Sequence, residues 1–434
     1  MSADSKKKQP VDLIVHPIGE LASAVASDEP LHGAEMSNDV RIKNAALAVD
    51  NGVFVHCGEA DEVLSLVELK AGGQTIDASG MIVTPGFVDP HTHLVFAGNR
   101  ANEFLMRCQG RSYQDIARAG GGIVASMNAT RHATVDQLVE LGSKRLASML
   151  AHGTTTCEVK TGYGLSLESE LNMMKAIFKL AKTQPVELVP TFMPAHAFPP
   201  DIERAEYIRS IKEEMLPALA ELVASEGIAA SDVYHDVFCD EGYFSLDETR
   251  EILEAGIKLG FRPKVHADEF VNLGASSLAV ELSCSSADHL LNISPSEIGL
   301  LAGSDTVAVL LPGTSFFLNM RQHAAARSMI DRGVSVAVGS DYNPGSCHIF
   351  SMPFIIGLSC LHLGMTLTEA VCAATVNSAF AVGRGTRIGQ IKTGYQADFL
   401  VLNISSLEEL PYNMTLNPVN KVFKKGQQVV PAFN

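Results

Sequence analysis

Between residues 81 and 340 the sequence repeats one theme, a short β-rich run followed by a longer stretch with helical spacing. Eight strand candidates follow in order: Ile82–Val88, Thr154–Lys160, Glu187–Phe192, Val233–Phe238, Pro263–Ala267, Ser286–His289, Val307–Leu311 and Val334–Gly339. Between them, Val135–Leu150, Leu167–Ala181, Asp201–Ala224, Leu246–Leu259 and Ala324–Asp331 carry apolar residues three and four apart, the period of an amphipathic helix. Ser245 ahead of Leu246-Asp247-Glu248 has the form of an N-cap with a capping box. Strands that alternate with helices pair in parallel, and eight of them close into a TIM-like (β/α)8 barrel. A doubly wound open sheet is the alternative, but no Gly-x-Gly-x-x-Gly follows any of these strands.

The chain ends read differently. Val11–Val15, Ala46–Val49, Gly52–Cys57 and Gln74–Ile76 are short runs separated by Gly, Asp and Asn, an all-β signature. Beyond Arg384 that pattern returns in Asp398–Asn403 and Val422–Val430. The expected organisation is α/β: a barrel over residues 81–384, with residues 1–80 and 385–434 pairing into one small β-sandwich domain built from both ends.

Composition narrows the partners. The net charge of −16 opposes binding to nucleic acid or to an anionic membrane. No apolar run is long enough to span a bilayer, and Pro312-Gly313 ends the Val307–Leu311 run. The eight cysteines are scattered without a Cys-x-x-Cys pair, which predicts reduced thiols and a cytoplasmic setting. Lys6-Lys7-Lys8 has no apolar stretch behind it and reads as a solvated tail.

Barrel enzymes build their active sites at the C-terminal ends of the strands. Here the first strand runs into Asp89-Pro90-His91-Thr92-His93, and alternation along extended chain turns His91 and His93 to the same side. The fifth strand ends in His266-Ala267-Asp268-Glu269, the sixth in Asp288-His289 and the eighth in Ser340-Asp341. A single buried histidine is more often a hydrogen-bonded core residue, and Asp341 alone could cap a turn. Four such residues delivered to one rim favour a metal site. His91, His93, His266 and Asp341 suit one divalent ion, with Zn2+ favoured and Fe2+ or Mn2+ possible. Such an ion brings water towards ionisation near neutral pH. Asp341 could then act as general base and His289 could hydrogen-bond the developing oxyanion, with the proton donor to the leaving nitrogen open between them. Hydrolysis of a C–N bond suits this set.

The run Val83-Thr84-Pro85-Gly86-Phe87-Val88-Asp89-Pro90-His91-Thr92-His93 resembles the first-strand motif of the amidohydrolase superfamily. Gly394-Tyr395-Gln396-Ala397-Asp398-Phe399 is similar to the segment that re-enters its small β-domain. Many members hold two metals through a carboxylated lysine on the fourth strand. Tyr234-His235-Asp236-Val237-Phe238 has no lysine, so the resemblance is to the one-metal branch. Within it, four stretches resemble the imidazolonepropionase family: His93–Arg100 with Glu103-Phe104, Ala119–Ile123, Lys160–Leu165 and Ala195–Pro199. His266–Glu269 and Asp341–Ser346 continue the likeness, while Lys160-Thr161 stands where relatives often carry Lys-Ser.

The resemblance implies hydrolysis of the cyclic amide of 4-imidazolone-5-propanoate to N-formimidoyl-L-glutamate, the third step of histidine degradation. It implies substrate contacts from Arg100, Tyr163, His196 and Glu269, and product contacts from Asn343, Gly345 and Ser346. Chemistry agrees: an arginine can grip the propanoate tail through a bidentate pair, Tyr163 and Tyr113 can add hydroxyl donors, and Glu269 can accept a ring N–H. The bland readings are a surface Arg100–Glu103 ion pair, a loop over the site at Gly120–Gly122 and a turn residue at Tyr163. Rival functions are another one-metal amidohydrolase, such as a nucleobase deaminase, and a non-catalytic scaffold. A homodimer is the expected assembly.

Overall fold

The computed structural model describes residues 7–111 and 121–430, so Tyr113 and Gly120 lie outside the described residues. Eight parallel strands form a nearly closed barrel: β5 (Phe87–Asp89), β6 (Thr154–Lys160), β7 (Glu187–Ala195), β8 (Tyr234–Cys239), β9 (Arg262–Ala267), β10 (Ser286–His289), β11 (Val307–Leu310) and β12 (Val336–Val338). These strands are buried on both faces, with helices outside and side chains filling the interior, polar ones in β6 and β10 included. The expected barrel is what forms.

Neighbouring strands pair from β5 round to β12, and the last gap closes through the strand ends. Asp341 N–H donates to the His91 carbonyl at 3.0 Å, and His93 N–H donates to the Tyr342 carbonyl at 2.9 Å. Below them the Ser340 amide donates to Asp89 Oδ1 at 3.0 Å.

Both chain ends build a second, seven-stranded sheet from β1 (Gln9–Ala24), β2 (Asp39–Asp50), β3 (Val53–Glu59), β4 (Val67–Pro85), β13 (Phe399–Leu402), β14 (Val419–Lys424) and β15 (Gln427–Val430). Its order is β15-β14-β13-β4-β1-β2-β3, yet Phe54 of β3 meets Phe399 of β13 with ring centroids 5.9 Å apart. The sheet therefore folds over itself, and a Val53–Gln396 bridge ties its far edge back.

Two expected elements divide. Ile82–Val88 is not one strand: Ile82–Pro85 finish β4 against β13, and Phe87 starts the barrel against β6. Gly86 makes the switch because a Cβ there would lie 2.3 Å from Thr155 Oγ1. Val422–Val430 is a hairpin whose turn residues Lys425 and Gly426 have φ of 49° and 71°, the backbone a tight two-residue hairpin turn requires. No helix among the described residues is long and apolar enough to cross a membrane.

Phe399 is fully buried and stacks on Phe423 at 4.3 Å. Phe399→Ala is expected to destabilise the fold by about 3–5 kcal/mol, seen as a lower urea midpoint of unfolding.

Candidate metal centre and active site

His91 and His93 lie just beyond β5, held by hydrogen bonds to both flanking strand ends. Besides the contacts to β12, the Thr92 hydroxyl donates to the Glu158 carbonyl at 2.5 Å and Lys160 N–H donates to the Thr92 carbonyl at 2.8 Å. The two imidazoles therefore have little freedom to move.

Burial, with the Lys160 ammonium nearby, pushes His91 and His93 well below the ordinary histidine range, so both rings are neutral. A neutral ring donates from one nitrogen and offers a lone pair on the other. His91 Nδ1 is 2.6 Å from Asp288 Oδ2, and His266 Nδ1 is 3.1 Å from Asp236 Oδ1. Nδ1–H therefore donates to a carboxylate in each case, which in the neutral His91 ring leaves Nε2 as the lone-pair atom. His91 Nε2 and His266 Nε2 are buried without a hydrogen-bond partner among the described residues. Their rings lie 4.5 Å apart between centroids, and His93 is 5.3 Å from His91 and 5.5 Å from His266.

Asp341 completes the set. Its Oδ1 lies 3.5 Å from His91 Nε2 and 3.9 Å from His93 Nε2, while Oδ2 accepts the Thr314 hydroxyl at 2.5 Å. Burial pushes Asp341 up to about 6. Ligand atoms of His91, His93 and Asp341 fall within 4.8 Å of one another, as do those of His91, His266 and His289. Orphaned imidazole nitrogens facing one carboxylate fit a divalent cation with nitrogen preference. His91, His93, His266 and Asp341 could hold it, with His289 at the edge of the group.

Beneath this centre lies a charged layer. Lys160 Nζ is 2.7 Å from Asp236 and 2.9 Å from Glu158, and Lys264 Nζ is 2.8 Å from Glu158. All are fully buried. Burial works against an ionised Asp236, yet His266 and Lys160 hold it well below the usual carboxylate range.

Above the centre a cavity of about 390 Å³ opens, lined among others by Arg100, Tyr163, His196, Glu269 and Asn343. Gly345 and Ser346 lie at the same cavity. His196 stacks on His93 at 4.7 Å with Nδ1 donating to the Gly162 carbonyl at 3.0 Å, and burial pushes its pKa down to about 3. Tyr163 meets His196 edge-on at 5.2 Å. Its loop is shaped by Glu170, whose carboxylate accepts the amides of Gly162, Gly164 and Leu165. Glu269 Oε2 is 3.5 Å from His289 Nδ1, and burial together with the nearby Asp341 raises Glu269 well above the ordinary value.

Arg100 and Glu103 are paired, but not on the surface. Their side chains are only 14% and 10% exposed, and Glu103 Oε2 accepts from both Nε and Nη2. The second Glu103 oxygen accepts the Gly122 amide at 2.9 Å, which gives part of the expected glycine loop a defined task. Asn343 Oδ1 accepts the amides of Gly345 and Ser346 at 2.8 and 2.7 Å, so that turn is internally braced.

Sequence reasoning missed Asp236, Asp288, Glu158 and Lys160 as a unit, along with Thr314, Glu170 and the cavity residues Arg107 and Phe238. Glu158 and Lys160 stand two apart on one face of a strand, as do Lys264 and His266, and that alternation was the available signal.

Amidohydrolase family models match residues 196–429 and 74–135. An imidazolonepropionase from Symbiobacterium thermophilum is 47% identical, over 97% of this chain and 98% of its own length. Another from Geobacillus kaustophilus is 43% identical, over 94% and 95%. The chain belongs to the imidazolonepropionase family. A zinc-bound adenosine deaminase from Xanthomonas campestris has a TM-score of 0.69, covering 98% of this chain and 94% of its own, and at 17% identity it shares the fold alone.

For this member of the imidazolonepropionase family, elemental analysis of purified protein is expected to find about one divalent ion per chain. His266→Ala should lower that occupancy severalfold, because it removes one of the orphaned nitrogens.

Proposed function

We propose that this chain hydrolyses the cyclic amide of 4-imidazolone-5-propanoate to N-formimidoyl-L-glutamate, using one divalent ion. The observation that carries this reading is sequence identity of 42–47% to imidazolonepropionases along nearly the whole chain, combined with the buried His–Asp centre under an arginine-lined cavity. Zinc is favoured over iron on the nitrogen-rich donor set. The ion would be held by His91, His93, His266 and Asp341, and when bound it supplies Lewis acidity that polarises a carbonyl and lowers the pKa of water.

The chain's own groups do the rest. Arg100, oriented by Glu103, grips the propanoate, with hydroxyl donation from Tyr163 and from Tyr113. His196 lies against the substrate ring, and Glu269 accepts a ring N–H. Asp341 accepts a proton as water adds to the amide carbon, and His289 donates to the oxygen on which negative charge develops. The C–N bond then breaks as the ring nitrogen takes up a proton, from Asp341 or from His289. Water is thereby divided between a new carboxylate and the freed nitrogen. Asn343, Gly345 and Ser346 receive the product. We further assign the protein to the cytoplasm and to a homodimer, which its mass in solution would test.

The deaminase alternative is not favoured, since nucleobases have no carboxylate for Arg100. Metal-loaded enzyme should consume 4-imidazolone-5-propanoate, followed by loss of its ultraviolet absorbance, and no consumption would refute the proposal. Arg100→Ala should raise KM roughly ten- to a hundredfold, the worth of a charge-assisted contact, with a smaller change in kcat. An unchanged KM would instead favour a substrate without a carboxylate.

A further inference from the structure

The layer of charge beneath the candidate ligands has no part in the chemistry just described, and burying five ionisable groups there is costly. Packing alone would be served by apolar side chains. Its geometry is not symmetrical. Lys160 Nζ lies 2.7 Å from Asp236 and 3.5 Å from Asp288, whereas Lys264 reaches Asp288 only at 4.0 Å and spends its other contacts on Glu158 and the Pro90 carbonyl. Lys160 is thus the cation between the two aspartates. Those aspartates are the ones that hold His266 and His91 by their Nδ1 atoms, at 3.1 and 2.6 Å.

We propose that Lys160 is a positioning residue for the metal centre: its ammonium fixes Asp236 and Asp288, and through them aims Nε2 of His266 and His91 at one point. Without it, two carboxylates buried side by side repel each other and turn, and each carries its imidazole with it. The same ammonium groups crowd the triad of His91, Glu158 and Asp288, whose ligand atoms lie within 4.8 Å of one another. Lysine nitrogen meets that triad, with Lys160 Nζ 2.9 Å from Glu158 and 3.5 Å from Asp288. The inference rests on the metal-dependent reading above.

The test measures Zn2+ affinity, by competition with a chromophoric chelator, and the visible spectrum of the Co2+-loaded protein. Both are applied to the full-length wild type, K160M, K160M/E158Q and E158Q. The double variant removes one positive and one negative charge together, so the layer keeps its net charge if K160M alone does not fold. Both lysine variants are expected to bind Zn2+ roughly ten- to a hundredfold more weakly, the usual effect of losing an outer-layer partner, and to show an altered Co2+ spectrum. E158Q, which leaves Lys160 between the aspartates, should bind far more tightly than K160M/E158Q. If the lysine variants lose thermal stability but keep wild-type Zn2+ affinity and the wild-type Co2+ spectrum, Lys160 is only structural and the proposal is overturned. Equal weakening in E158Q and K160M/E158Q would overturn it too. A wild-type chain that binds no Zn2+ would refute the metal-dependent reading itself, a distinct result.

Discussion

Hydrogen bonds between the ends of β5 and β12 close the barrel, and three of the four candidate ligands sit on that seam. Asp341 donates its amide to His91, while His93 donates its own to Tyr342. The contact that completes the fold is therefore the one that brings the carboxylate against the imidazoles. Asp341 takes a φ of 51° to do this, a conformation that costs an ordinary residue about 1–2 kcal/mol. His289, with a φ of 80°, is strained in the same way on its own strand end. Unfavourable backbone at two residues of one centre is what a site held by its surroundings looks like.

Electrostatics follow from depth. His91 and His93 are buried and neutral, so their lone pairs are available without a proton to displace. Asp236, at the same depth, stays ionised because the Lys160 ammonium stands 2.7 Å from it and His266 donates to it. The polar groups thus form two storeys, an imidazole layer facing the cavity and a layer of paired lysines and carboxylates under it.

What could be read from the sequence follows the range of each interaction. Strand ends are local, so His91, His93, His266 and Asp341 stood out as polar residues where apolar runs stop, and the barrel brings them together. The pairing of Asp236 with Lys160 spans 76 positions, and that of Asp288 with His91 spans 197, so nothing local announces either. Arg100 was visible, but its burial against Glu103 depends on the Gly122 amide closing over the pair. Gly86 shows the limit for strands: periodicity ran straight through the point where the chain changes sheets.

The self-folded sheet also has a meaning for how the chain comes off the ribosome. Strands β1 to β4 can pair with one another early, but Phe399 and Phe423, which fill the fold of the sheet, are made more than three hundred residues later. Until then the inner face around Phe54 has no aromatic partner from the other side and stays exposed to other apolar surfaces. The barrel strands are all complete before that cover arrives. The vulnerable moment in synthesis is therefore the wait of the first domain half for the last, and substitutions near the C-terminus should harm folding yield before they touch the chemistry.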